Sequence, residues 1–127
     1  MDSKWWHKRY FKQYNNSTSS YVTFSDTSDA QTKIGFGSCF DTNSPTKSYE
    51  LADAGQTLVV TYEHSSEANQ EGFKSAVDAA WTDGSIFTGD TFTGTGESRT
   101  QVLQVRHVKT EWLNKNGDVG ATTNFEF

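Results

Sequence analysis

TQVLQVRHVKTEWL, residues 100–113, followed by Asn116-Gly117 and by ATTNFEF, residues 121–127, is the stretch that decides the fold. The first segment is dense in strand formers, and Asn-Gly is the strongest short hairpin signal. The last segment alternates again, so the final quarter of the chain reads as one β-hairpin. Its first strand contains a phase problem. Leu103 and Val105 share one face, whereas Val108, Thr110 and Trp112 share the other. A β-bulge at Arg106-His107 shifts the phase by one residue and places Leu103, Val105, Val108 and Trp112 on a single inner face. His107, Lys109 and Glu111 then line the outer face, where cross-strand charge pairing accounts for them.

Composition agrees with a β protein. Leu, Ile, Val and Phe are scarce, but four Trp and five Tyr add large buriable surface, so the core must be aromatic rather than aliphatic. Ser and Thr supply 31 of the 127 residues and Pro occurs once, a balance that suits strands with polar outer faces. The length accommodates one domain. Cys39 is the single cysteine, which rules out an intramolecular disulfide and favours a reducing compartment or a domain that needs no staple. The sequence has no apolar run of membrane-spanning length and no apolar core of a signal peptide near Met1. The expected location is therefore the cytoplasm, or the exterior reached without a recognisable leader in this chain.

Residues 1–14 stand apart as a basic aromatic arm. Trp6, Tyr10, Tyr14 and Phe11 fall on one side of a helical wheel, with Lys8, Arg9 and Lys12 opposite and Trp5 out of place. Such a segment either caps the open end of a β structure or lies on an anionic surface, where Trp5, Trp6, Tyr10 and Lys8 would make the contact. Residues 20–25 read as a short strand with Val22 and Phe24 on one face, and 26–29 as a turn. Residues 32–40 read as a second strand, with Ile34, Phe36, Ser38 and Phe40 on one face and a smooth face of Gly35, Gly37 and Cys39 opposite. Residues 41–47 form a loop. Residues 57–63 make the clearest strand, Leu58, Val60 and Tyr62 facing in and Val59, Thr61 and Glu63 facing out. The period then changes to 3.6: Phe73, Ala76, Val77, Ala80 and Trp81 mark an amphipathic helix with Ser66 as its N-cap. Residues 85–97 read as strand, kink and strand.

Catalytic chemistry is not announced. His7, His64 and His107 have no metal-ligand spacing, no nucleophile motif is present, and no cofactor is implied. Binding is easier to motivate. Trp81 and Trp112 in a Ser/Thr/Asn-rich setting resemble the walls of sites that stack on sugars or flat heterocycles. A net charge of −5 disfavours nucleic acid as a general partner. A membrane partner rests on the N-terminal arm alone.

Ile86-Phe87-Thr88-Gly89, then Lys109-Thr110-Glu111-Trp112-Leu113 and the closing Asn124-Phe125-Glu126-Phe127, resemble the last strands of avidin- and streptavidin-type biotin-binding barrels. Tyr14-Asn15-Asn16 and Ser19-Ser20-Tyr21-Val22-Thr23 are similar to that family's first strands. The resemblance implies an eight-stranded up-and-down barrel, usually oligomeric, in which Asn15 and Ser19 meet the ureido end of biotin and Trp112 forms a wall. The chain departs from the pattern at Gln13 and Gly37, where the family carries Trp and Tyr, and in the helix near Phe73–Trp81.

The expected fold is all-β: an antiparallel β-sandwich or small β-barrel of about seven to nine strands with one short helix near residues 67–81. It forms a single domain, 1–127, with the arm at 1–14. The expected function is non-enzymatic binding of a carbohydrate or other small polar ligand through Trp112, Trp81, Asn15 and Ser19, by a protein that can form a homo-oligomer. The alternative is a membrane-active, toxin-like β protein using Trp5, Trp6, Tyr10 and Lys8.

Overall fold

A computed structural model describes residues 5–83, 86–87 and 103–124. Its centre is the segment expected to stand apart. Trp5–Asn15 forms strand β1, paired on one side with β4 (Thr57–His64) and on the other with β5 (Leu103–Leu113). The helical reading of the arm is thereby corrected over residues 5–14; residues 1–4 lie outside the described residues. Trp6, Tyr10 and Tyr14 share a face at a period of four, which a helix and a strand both satisfy, and two long pairing partners decide for the strand. The sheet runs β3 (Thr46–Ala52), β4, β1, β5, β6 (Val119–Asn124), and the two-residue β2 (Ser20–Tyr21) joins the far end of β1. Every pairing among these six strands is antiparallel.

Two helices accompany the sheet. The segment 26–40, expected as a turn and a strand, is instead helix α1 (Thr27–Ile34) followed by a 3-10 turn at Ser38–Asp41. Its boundary signals are local. The Asp26 carboxylate accepts from the Asp29 N–H at 2.7 Å and caps the N-terminus. Gly35 ends the helix at φ 63°, a left-handed conformation that glycine adopts without steric cost, and its N–H reaches Gln31 O at 2.9 Å. The strand expected over 20–25 is paired only at Ser20–Tyr21, although the Val22 and Phe24 N–H groups still bond Gln13 O and Gly55 O. Helix α2 (Glu67–Asp83) follows the expected pattern: Phe73, Val77 and Ala80 are buried, Trp81 is half-buried against the core, and Ser66 Oγ accepts from Asn69 N.

Strand β3 was not anticipated, since its alternation of half-buried Lys47, Tyr49 and Leu51 with exposed Ser48 and Glu50 carries little apolar signal. In β4 the inward set is as expected. Val59, expected outside, is only 3% exposed.

The hairpin of β5 and β6 is present, with Asn114 and Gly117 closing the turn. Its bulge lies slightly further along than expected. Tyr10 pairs with Lys109 and Phe11 with His107, so Val108 is the extra residue. The inner set of β5 is therefore Val105, His107, Thr110 and Trp112, and not Leu103, Val105, Val108 and Trp112. His107, expected outside, is fully buried. Of the segment 85–97, the strand-kink-strand expectation lies outside the described residues except at Ile86 and Phe87, both buried.

Both helices supply residues to the aromatic core on the inner side of the sheet. Phe11, Leu58, Val60, Tyr62 and Val105 from the strands meet Ala30 and Ile34 of α1 and Phe73 and Val77 of α2, with Phe24, Phe40, Ile86 and Phe87 between them. Phe40 lies within 6.2 Å of Phe11, Phe36, Tyr62, Phe73 and Phe87, centroid to centroid. Edge-to-face and stacked contacts of this kind replace the missing leucines.

Candidate functional site

Strand β1 alternates in an unusual sense. Its inner face carries His7, Arg9, Phe11 and Gln13, and its outer face Trp6, Lys8, Tyr10, Lys12 and Tyr14. Polar groups thus enter the interior beside the aromatic core. The register sets them against both neighbouring strands: His7 opposes Tyr62 and Trp112, and Arg9 opposes Val60 and Thr110. The rings form a row across three strands. His7 stacks on His64 at 5.2 Å with 3° between planes, on Tyr62 at 5.1 Å and, tilted, on Trp112 at 4.8 Å. Phe73 of α2 closes edge-on over His7 and His64. His107 stacks on Phe11 at 4.8 Å, and its Nε2 is 3.1 Å from Thr110 Oγ1.

Burial governs the electrostatics. His7 has no exposed surface and its pKa is lowered to about 2, first by burial and then by the charges of Arg9, His64 and His107. His64 and His107 are also lowered, by burial first and Arg9 second. Arg9 is 1% exposed, and burial draws it down to about 10, which leaves it cationic near neutrality. Among the described residues it forms no ion pair. Within the same described residues its Nε and both ring nitrogens of His7 and of His64 are buried without a hydrogen-bond partner, while the more distant charge of Asp78 acts to raise the guanidinium pKa. The guanidinium lies instead against rings, 5.4 Å from the Phe73 centroid and 5.8 Å from that of Trp112.

Above this cluster a groove of about 290 Å³ opens between α2 and β5, lined by Gln70, Glu71, Lys74 and Trp112. Trp112 is half-buried and donates its indole N–H to Thr123 Oγ1 of β6 at 3.2 Å. A second cavity of about 420 Å³ lies beside α1 and β3, where Gly35 and Gly37 meet Phe40, Asp41, Lys47 and Tyr49. This is the glycine face of the sequence, now at a corner. Its charges satisfy each other, Lys47 with Asp41, and the Gly35 and Gly37 N–H groups bond Gln31 O and Ile86 O. At the Trp112 groove Lys74 likewise pairs with Asp78, at 2.9 Å.

The expected site residues do not converge. Trp112 lines the groove, but Trp81 does not. Asn15 lies at the opposite end of β1, eight residues from the partner of Trp112 and so roughly 26 Å along the strand at ~3.3 Å per residue. Its carboxamide accepts from the Ser17 and Thr18 N–H groups, an Asx turn, and Ser19 is exposed at φ 54° in the same loop. Trp6, Lys8 and Tyr10 lie on the outer face of β1 rather than on a free arm; Trp6 donates to Glu63 at 2.6 Å and Tyr10 to Glu111. Trp5 is half-buried opposite His64. Sequence reasoning finds no site in His7 and His64, which lie far apart in the chain, and assigns Arg9 to the basic face of the arm; residues 7, 9, 11 and 13 are His, Arg, Phe and Gln, which gives no apolar alternation to mark an inner face. Among the described residues no group of three His, Cys, Asp or Glu side chains is placed to hold a metal ion.

No family model matches the chain, and searches of curated proteins and of solved structures likewise find no match.

Proposed function

We propose that the chain is a non-enzymatic binding protein for a carbohydrate or other small polar ligand, held in the groove between α2 and β5. One observation carries this reading: a half-buried indole, Trp112, forms the wall of a groove whose other lining groups are an amide, a carboxylate and an ammonium from Gln70, Glu71 and Lys74. An aromatic face with a few polar side chains beside it is the arrangement that stacks on a sugar ring and bonds its hydroxyls. At about 290 Å³ the groove suits one ring rather than a long chain. The test is a glycan array, with a biotin column as a separate probe, followed by calorimetry on Trp112→Ala and Trp112→Phe. Retention that is lost in Trp112→Ala and partly kept in Trp112→Phe supports the groove. Full binding by Trp112→Ala with lowered stability alone rejects it.

The finer architecture belongs to the same proposal. A second layer opposite the six-stranded sheet, as in a sandwich, draws support from the antiparallel bridge of Phe36 with Phe87, which lies apart from the six strands. A membrane-active alternative draws on Trp6, Lys8 and Tyr10 sharing the outer face. It is the weaker reading, since the polar ends of Trp6 and Tyr10 bond the carboxylates of Glu63 and Glu111. Liposome co-sedimentation that vanishes in a Trp6→Ser, Tyr10→Ser double variant would favour it.

A further inference from the structure

We infer that the ligand of the Trp112 groove carries an oxyanion, a carboxylate or phosphate group, received by the Arg9 guanidinium beneath the indole with His7 as the neighbouring donor. The inference rests on the groove as the binding site and adds the charge of what enters it.

The argument begins with an imbalance. A buried guanidinium loses its hydration, and stacking on aromatic faces makes up only part of that loss. Arg9 is 1% exposed and has Phe73 and Trp112 rings near it, but no carboxylate pairs with it among the described residues. Among the described residues its Nε–H is buried with no acceptor, and both ring nitrogens of His7 are buried without a partner. Among the described residues the unmet groups nearest the cation include two donors, the Arg9 Nε–H and the single N–H of a neutral His7 imidazole. A group that satisfies several converging donors and neutralises the cation is an acceptor-only anion, and a planar or tetrahedral oxyanion matches the guanidinium fork.

The route to Arg9 passes the indole: Trp112 lines the groove and its ring centroid lies 5.8 Å from the guanidinium, whereas Arg9, 1% exposed, does not line the groove, so entry requires the indole to move aside. Lys74 follows Phe73 in α2 and places its ammonium at the rim, where it pairs with the exposed Asp78 carboxylate at 2.9 Å. Glu71 at the same rim opposes an anion and suits hydroxyls. The pairing selects a ligand with one anionic end directed inward and a hydroxylated body left at the rim.

The test uses the full chain. Isothermal titration and thermal unfolding are run with inorganic phosphate and, separately, with acetate, against chloride at equal ionic strength. The wild type is expected to bind at least one of the two in the millimolar range and to unfold at a higher temperature in its presence. Arg9→Met should remain folded, because an apolar chain of similar length fits the ring-lined site, and should lose the anion response at least tenfold. Arg9→Lys should retain part of it. Lys74→Gln should weaken binding by a few fold. Phosphate against acetate identifies which oxyanion the site prefers. Absence of heat and of stabilisation with both anions in the wild type overturns the inference, whatever the variants do, and so does an undiminished response in Arg9→Met. The two readings fail separately. Uncharged glycans bound through Trp112 with no anion response remove the oxyanion and leave the groove; an Arg9-dependent anion response unaffected by Trp112→Ala removes the groove as its route.

Discussion

The Arg9 guanidinium carbon lies 5.8 Å from the centroid of the Trp112 ring, and the two side chains come from adjacent strands whose inner faces carry His7, Thr110 and His107 around them. A cation buried beside an indole that borders an open groove joins the interior of the sheet to its surface. The consequences can be tested one at a time.

The stability of the chain should fall in mild acid. His7 is lowered from 6.5 to about 2, so the native protein stays unprotonated there in a range where the unfolded chain takes up a proton. The unfolded state then binds more protons, and stability is full above about pH 6.5 and is lost as pH falls toward 2, by up to about 1.4 kcal/mol per pH unit per histidine. His64 and His107 shift the same way, and Arg9 is the charge that faces all three. Urea unfolding across this range should show the decline, and His7→Phe should make it shallower. A flat profile in the wild type would contradict the burial of these rings.

Phe73 holds α2 to the sheet. It is fully buried and lies 4.8 Å from Tyr62, 5.0 Å from His64 and 5.3 Å from His7, centroid to centroid. Phe73→Ala should cost about 3–5 kcal/mol by denaturant unfolding. A loss below ~1 kcal/mol would mean that the helix does not pack there.

Helix α1 depends on its ends. Asp26→Ala removes the acceptor for Asp29 N and should cost about 1 kcal/mol. Gly35→Ala forces a Cβ into the left-handed region at φ 63° and should cost a similar ~1 kcal/mol. Were residues 32–40 the strand suggested by their alternation, Asp26→Ala would be nearly silent.

On the outer face, Tyr10 is raised to about 12, first by burial and then by its hydrogen bond to the Glu111 carboxylate. Glu111→Gln should bring one tyrosine part of the way back toward 10 in an ultraviolet titration of tyrosinate. Unchanged titration of all five tyrosines would show that the pair is not formed.

Legibility in the sequence followed the direction of hydrophobic alternation. The strand at residues 57–63, the amphipathic helix and the closing hairpin were readable because apolar residues marked their inner faces. β1 was not, since His7, Arg9 and Gln13 occupy the inside and Trp6, Tyr10 and Tyr14 the outside, the reverse of the usual rule. The error in α1 had a different origin: Ile34, Phe36 and Phe40 alternate across a helix end and a 3-10 turn that Gly35 separates. The bulge was foreseen from the phase slip but placed slightly too early, which reversed His107 and Val108. Of the candidate site, Trp112 was legible as a large ring in a polar setting. Arg9 was not, because its burial depends on long-range pairing with β4 and β5.

The most direct measurement is the Arg9 side-chain Nε–H resonance by nuclear magnetic resonance, followed as phosphate or acetate is added to the full chain. A buried donor lacking an acceptor should give a slowly exchanging signal that moves downfield and saturates as the oxyanion arrives, with the His7 ring resonances shifting alongside it. An Arg9 Nε–H that exchanges as fast as those of exposed arginines, or that does not move at saturating anion, would contradict the account.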